Sequence, residues 1–249
     1  MRIQWVGHAT TVVDLDGARV VTDPLFRNRV AHLRRAVPLV NGTPRDVDCV
    51  LVSHSHWDHL DLPSLARIGK TVPVIVPRGL GRLLRRRGFE DIREVEPGDE
   101  LAVGALSVRV VPAEHRAWRG PFRSRELAVG YVLEGSRSLY FAGDTDLFDS
   151  MAEIASPDVA LLPVWGWGPT VTPGHLDPLR AARALALLRP KVVVPIHWGT
   201  YFPFQRGLRR APWFLQPPPR EFTHAARRIA PDTEVCVLRP GESLELPPA

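Results

Sequence analysis

The sequence predicts an α/β chain in which two β-sheets pack together with helices on their outer faces. Three observations carry this. Apolar runs of strand length recur in both halves of the chain, with few helix patterns between them. No linker separates the halves, so one domain is expected over residues 1–249. Acids and histidines follow the C-terminal ends of the apolar runs, where α/β architectures tend to gather a site.

The elements follow in order. Ile3 to Val6, Thr10 to Leu15 and Arg19 to Thr22 read as strands, with Asp16-Gly17 as a hairpin turn. Residues 25–48 read as a long irregular loop, a kind often functional in compact domains. Cys49 to Val52 is a buried strand. Pro63 suits the first turn of a short helix over 62–68. Val72 to Val76 is a strand, and Gly79 to Arg87 a helix closed by Gly88. Glu94 to Glu100 is turn-rich, Ala105 to Val111 alternates, and Leu127 to Leu133 with Ser138 to Ala142 forms a hairpin. Val159 to Leu162 is a strand entering a glycine-, proline- and tryptophan-rich loop. Asp177-Pro178 opens a helix that Pro190 ends. Val192 to Ile196 is a strand, residues 201–218 a proline- and arginine-rich loop, and 220–229 a helix. Strands near 234–238 and 243–246 close the chain.

Composition sets bounds. The chain is 45% hydrophobic and 24% charged, which supports a sizeable core and excludes disorder. It has no apolar run of the roughly 18 residues that a transmembrane helix needs. The N-terminus lacks the apolar stretch of a signal peptide, so a cytoplasmic location is expected. Cys49 and Cys236 lie in apolar runs and read as buried thiols, not a disulfide framework. The net charge of +5 is almost all arginine, with Lys70 and Lys191 the only lysines. The arginines are scattered, which fits a compositional bias better than a nucleic-acid surface.

The chemistry concentrates in Ser53-His54-Ser55-His56-Trp57-Asp58-His59-Leu60-Asp61. Side chains alternate along a strand, so His54 and His56 are expected to point the same way. Asp58 and His59 follow a turn that lets the chain fold back. Imidazole nitrogen and carboxylate oxygen suit zinc, manganese or iron. Polar residues this dense at a strand end rarely serve packing. Asp23, His115, Asp144 and His197 follow other strands in the same way. Together His54, His56, Asp58, His59, His115, Asp144 and His197 offer enough ligands for two metal ions.

The motif His54-Ser55-His56-Trp57-Asp58-His59, with His115, Asp144 and His197, resembles the metallo-β-lactamase superfamily pattern, and Asp23 matches its early aspartate. Gly7-His8-Ala9-Thr10, Thr22-Asp23-Pro24, Phe141-Ala142-Gly143-Asp144-Thr145, His175-Leu176-Asp177-Pro178 and His197-Trp198-Gly199-Thr200 narrow the match. They resemble the branch containing N-acyl-phosphatidylethanolamine phospholipase D and the ascorbate-6-phosphate lactonase-like hydrolases. The resemblance implies a four-layer αββα sandwich with two divalent ions, Zn2+ first and Mn2+ or Fe2+ as alternatives. It puts His54, His56 and His115 on one ion, Asp58, His59 and His197 on the other, and Asp144 between them. Asp23 and Asp61 are expected to orient ligand histidines from behind.

The implied reaction is hydrolysis of a phosphodiester or related small anionic ester by a hydroxide shared between the ions. Asp58, Asp144 and His175 are the expected catalytic residues, with His175 protonating the leaving group or binding phosphate. Trp57, Trp165, Trp167 and His8 are expected to line the substrate pocket. Trp118 and Trp198 flank the same ligands, and His32 and His224 read as surface or loop residues. Arginines of the 25–48 and 203–211 loops are phosphate-binding candidates. A lactonase is the alternative, and a nucleic-acid phosphodiesterase a second one, disfavoured by the lack of a dense basic arm. The expected partner is a small anionic or acyl molecule, with homo-oligomerisation left open.

Overall fold

In the computed structural model, the described residues are 1–40, 42–115, 127–154, 156–204 and 213–247. The strands are β1 (Arg2–Gly7), β2 (Thr10–Leu15), β3 (Ala18–Thr22), β4 (Arg29–Val30), β5 (Leu33–Arg35), β6 (Cys49–Leu51), β7 (Val74–Pro77) and β8 (Ile92–Val95). They continue with β9 (Glu100–Val103), β10 (Leu106–Pro112), β11 (Val129–Glu134), β12 (Ser138–Phe141), β13 (Val159–Pro163), β14 (Val192–Ile196), β15 (Tyr201–Pro203), β16 (Glu234–Val235) and β17 (Ser243–Glu245). The helices are α1 (Leu62–Ile68), α2 (Gly81–Arg85), α3 (Pro178–Leu188) and α4 (Pro218–Ile229).

Two seven-stranded sheets form, in the orders β17-β1-β2-β3-β6-β7-β8 and β16-β14-β13-β12-β11-β10-β9. The strand alternation decides what each face meets. In β6, Cys49 and Leu51 face the other sheet while Val50 faces outward. In β12, Leu139 and Phe141 face the opposing sheet while Tyr140 faces outward. Both faces are covered, so these strands read as unbroken apolar runs. Leu65 of α1 and Leu84 of α2 cover the outer face of the first sheet, and α3 and α4 cover the second with Ala181, Leu185 and Phe222. The result is the four-layer αββα sandwich.

Local chemistry explains the helix starts. Asp61 caps α1 by accepting from the Ser64 amide, and Asp177 caps α3 by accepting from the Arg180 amide. A proline follows within the first turn in each case, where its missing N–H costs nothing. No described helix is long and apolar enough to cross a membrane.

Some elements differ from the sequence reading. The 25–48 loop contains β4 and β5, which join β15 in a third, three-stranded sheet. Strands of two or three residues are too short for periodicity to register, and β15 lies far along the chain from its partner β5. Around the expected turn at 94–100, β8 enters and β9 leaves. A short 3-10 turn at Asp149–Glu153 was also not anticipated. Cys49 is buried as expected, whereas Cys236 is only partly covered.

The two sheets are tied together where the ligand strand ends. The Tyr131 hydroxyl on β11 donates to the Val52 carbonyl at 2.7 Å, and the Val129 amide donates to the Ser53 carbonyl at 3.0 Å. Tyr131→Phe should leave that buried carbonyl short of a donor and cost about 1–3 kcal/mol, measured by urea unfolding.

Candidate metal centre

Six strand ends deliver the site. His8 follows β1, Asp23 follows β3, His54 follows β6, His115 follows β10, Asp144 follows β12, and His197 follows β14. Three of these residues take left-handed backbone angles, with φ of 56° at His8, 33° at Asp23 and 61° at His197. Such conformations are costly for non-glycine residues and persist only when their surroundings enforce them. Here the enforcement is visible. The His197 amide donates to the His8 carbonyl at 2.9 Å, and the His8 amide donates to Thr200 Oγ1 at 2.8 Å. Gly143, at φ 61°, lets the chain turn into Asp144, and a Cβ there would collide with Ser53.

The sequence-predicted ligands converge in two groups. His54, His56, His115 and Asp144 form one, and Asp58, His59 and His197 form the other together with His8; within each group one ligand atom per residue lies within 4.8 Å of the rest. His56 Nδ1 is 2.9 Å from His54 Nε2 and 3.2 Å from His115 Nε2. His59 Nε2 is 3.1 Å from His197 Nε2. Asp144 joins the groups. Its Oδ2 lies 3.2 Å from His59 Nε2 and 3.9 Å from His54 Nε2, and its Oδ1 lies 3.2 Å from His197 Nε2.

The outer ring nitrogens of His54, His59, His115 and His197 are anchored, which tests whether the set fits a metal. His59 Nδ1 meets Asp23 Oδ2 at 2.7 Å, His115 Nδ1 meets the Gly174 carbonyl at 2.7 Å, and His197 Nδ1 meets the Trp165 carbonyl at 3.0 Å. These partners only accept, so each Nδ1 carries the proton and each Nε2 presents a lone pair inward. Ser53 Oγ donates to Asp23 Oδ2 at 2.6 Å and accepts from His54 Nδ1 at 2.9 Å, which sets the same tautomer at His54. Asp144 Oδ1 is buried without a hydrogen-bond donor. Inward lone pairs, anchored outer nitrogens and an undonated carboxylate oxygen are what a divalent cation requires, so the donors fit.

Electrostatics agrees. Burial drives the imidazoles of His54 and His115 below their ordinary range, His56 to about 4 and His197 to about 3. These four are neutral and free to ligate. Burial opposes ionisation of Asp58 and Asp144, yet the adjoining histidines, His59 among them, hold both carboxyls well below their usual values. His59 goes the other way. Burial disfavours its charge, but Asp144 and Asp23 raise it well above the usual histidine value. A bound cation would compete with that second proton for the His59 Nε2 lone pair.

The other expected residues fall in different places. His175 Nε2 lies 3.4 Å from Asp144 Oδ2, and its ring stands edge-on to His115 with 4.6 Å between centroids. Its Nδ1 is held by Thr172. His8 was expected in the substrate pocket, but it is buried with Nε2 3.0 Å from Asp58 Oδ2, and its ring is 3.9 Å from that of His197. It backs the second ligand group. Asp61 was expected behind a ligand histidine; instead its carboxylate caps α1 and takes both Arg27 Nε and Nη2, at 3.0 and 2.7 Å.

Trp57 is 51% exposed beside the ligands. Trp165 contributes its carbonyl to His197, and its indole donates to the Gly168 carbonyl at 3.0 Å. Trp167 packs against Leu25, Val30, Leu33 and Tyr201, with His32 edge-on to its ring. Trp198 belongs to the core and stacks on Trp5. Trp118, and Arg206, Arg209 and Arg210 of the 203–211 loop, lie outside the described residues. In the 25–48 loop, Arg27 is engaged with Asp61, and buried Arg35 donates to the carbonyls of Leu25, Val37 and Val6.

Sequence reasoning missed Ser53, Gly174 and Trp165 as anchors. Ser53 immediately precedes the first ligand and was open to inspection, but the other two act through backbone carbonyls and leave no residue-type signal. His54→Ala or Asp144→Ala should lose at least one metal equivalent by elemental analysis. Asp23→Ala should retain the ligands but weaken metal binding about 10–100-fold in competition with a chelator.

Comparison with known proteins places this geometry. Residues 18–198 match the model of the β-lactamase superfamily domain. A UPF0173 metal-dependent hydrolase of Methanopyrus kandleri is 34% identical over 98% of this chain and all of its own length. The N-acyl-phosphatidylethanolamine-hydrolyzing phospholipase D 1 of Caenorhabditis elegans is 32% identical over 79% of this chain and 63% of its own. Among solved structures, the metallo hydrolase Igni18 of Ignicoccus hospitalis superposes with a TM-score of 0.74 at 26% identity, covering 99% of both chains. The chain belongs to the β-lactamase superfamily and, within it, to the metal-dependent hydrolases.

Proposed function

We propose that the protein hydrolyses a phosphodiester or a related small anionic ester at a dinuclear metal centre. The observation that carries this is Asp144, whose Oδ2 lies between the two donor groups, 3.2 Å from His59 Nε2 and 3.9 Å from His54 Nε2, while its Oδ1 faces His197. His54, His56 and His115 would hold one divalent ion, and Asp58, His59 and His197 the other, with Asp144 shared. Two such ions supply Lewis acidity, which lowers the pKa of water and stabilises developing negative charge. Zinc is the first expectation, and the same donors accept manganese or iron.

The protein's own groups do the rest. Asp23, Ser53 and the carbonyls of Gly174 and Trp165 keep the imidazole lone pairs inward. His8 holds Asp58 from behind. His175 has its Nδ1 fixed by Thr172 and its Nε2 beside Asp144, so Nε2 can pass a proton to a departing alkoxide. Trp57 offers an apolar surface next to the ligands, suited to an acyl or aromatic group. The similarity to a lipid phosphodiester hydrolase supports a phosphodiester.

A cyclic ester is the second reading, and one observation favours it. Arg27 and Arg35, the inner arginines of the 25–48 loop, are bound to other protein groups. A lactone needs no such cation. Nucleic acid is the least supported substrate, since the described arginines form no dense arm.

Turnover of bis(p-nitrophenyl) phosphate against a panel of lactones, with zinc and with manganese, separates the two readings. The phosphodiester is expected to be the faster substrate; turnover of lactones alone would select the second reading, and turnover of neither by the fully loaded protein would sink both. His175→Ala should keep both metals and slow turnover about 10²–10⁴-fold. An unchanged kcat would remove His175 from the chemistry.

A further inference from the structure

One charged pair beside the site has no part in the ligand set. Asp146 lies two residues past Asp144, and its carboxylate forms an ion pair with Arg180 on α3. The same carboxylate accepts from the Leu147 amide at 2.7 Å and, through Oδ2, from the Gly174 amide at 3.2 Å. The other side of Gly174 is also occupied, because its carbonyl takes the Nδ1 proton of His115 at 2.7 Å. One glycine thus bridges Asp146 and a ligand histidine. The next residue is His175, whose Nε2 faces Asp144.

Further contacts make this a closed clamp. The Asp146 amide donates to the Glu114 carbonyl at 2.9 Å, and the Glu114 amide donates to Thr145 Oγ1 at 3.0 Å. The residue before His115 is therefore stitched to the residues after Asp144. Arg180 is bound twice, through its backbone amide to the Asp177 cap and through its guanidinium to Asp146. The 172–177 loop is held between these points. The His175 imidazole reaches the site from the same loop.

We propose that Asp146 is a positioning residue that sets the 172–175 loop against the metal centre. Clamped by Arg180, it fixes the Gly174 peptide, and through that peptide it orients His115 and presents His175 to Asp144. Its function is to make the ligand and the proton donor share one support, so that they move together or not at all. The inference rests on the reading of His115 as a ligand. It assigns no contact between Asp146 and substrate.

Cobalt substitution tests this without an assay of turnover. In the loaded protein, His54, His59, His115 and His197 should each give a hyperfine-shifted, exchangeable imidazole N–H resonance, since each Nδ1 proton has an acceptor. In Asp146→Ala one of the four should exchange at least tenfold faster, and one cobalt equivalent should bind about 10–100-fold more weakly. Arg180→Met should shift the same resonance in the same direction by a smaller factor. His175→Ala should leave all four resonances in place. If Asp146→Ala keeps four resonances at wild-type exchange rates with unchanged cobalt affinity, the proposal is overturned. Loss of all four together with the fold would assign Asp146 a general structural role, and would overturn it as well. If the unmodified protein takes up no second cobalt, the dinuclear reading fails instead, a result distinguishable from both.

Discussion

The site depends on a single buried carboxylate. Asp23 has no exposed surface, and burial raises its carboxyl above the ordinary carboxylate value, an effect that His59 and Ser53 counter only in part. Both of its oxygens accept hydrogen bonds. One takes the Ser53 amide, the other takes the Ser53 hydroxyl and the His59 ring. Through Ser53 it also sets the tautomer of His54. One carboxylate therefore orients a histidine in each donor group, although it lies some thirty residues before both. Three donors in place of water offset part of the cost of burying the charge.

Strain is placed where it does work on this arrangement. Three of the left-handed non-glycine residues, His8, Asp23 and His197, each stand immediately beyond a strand of the site. A normal extended exit would carry these side chains past the site. The sharp turn brings them back over the strand ends, and the His197 amide on the His8 carbonyl with the His8 amide on Thr200 Oγ1 holds the two turns against each other. The cost of such conformations is of order 1–3 kcal/mol each. The large apolar core between the sheets, with Trp5, Tyr131 and Phe141 fully buried, is the reserve that offsets it.

The donor histidines follow strands, but His175 and the tryptophans at 165 and 167 sit on one long loop. That loop does two jobs. Its carbonyls at Trp165 and Gly174 anchor His197 and His115, and its His175 side chain stands beside Asp144. A substitution in the loop is therefore expected to disturb the histidine orientations as well as His175.

The sequence alone singled out the candidate ligands, because dense imidazoles and carboxylates at strand ends have little other physical use. It also determined most strands, since burial on both faces leaves unbroken apolar runs, and the starts of α1 and α3, since Asp61 and Asp177 with their prolines are local signals. Only the tertiary structure decided the rest. The third sheet depends on β5 meeting β15, a pairing that no short-range pattern encodes. Asp61 and Asp23 look alike in sequence, yet the first binds Arg27 and its own helix while the second binds a ligand. His8 reads as a pocket residue and proves to be a support for Asp58. The anchoring carbonyls carry no side-chain signature at all. Residue type fixes what chemistry is available; which atoms meet is fixed by how the strand ends converge.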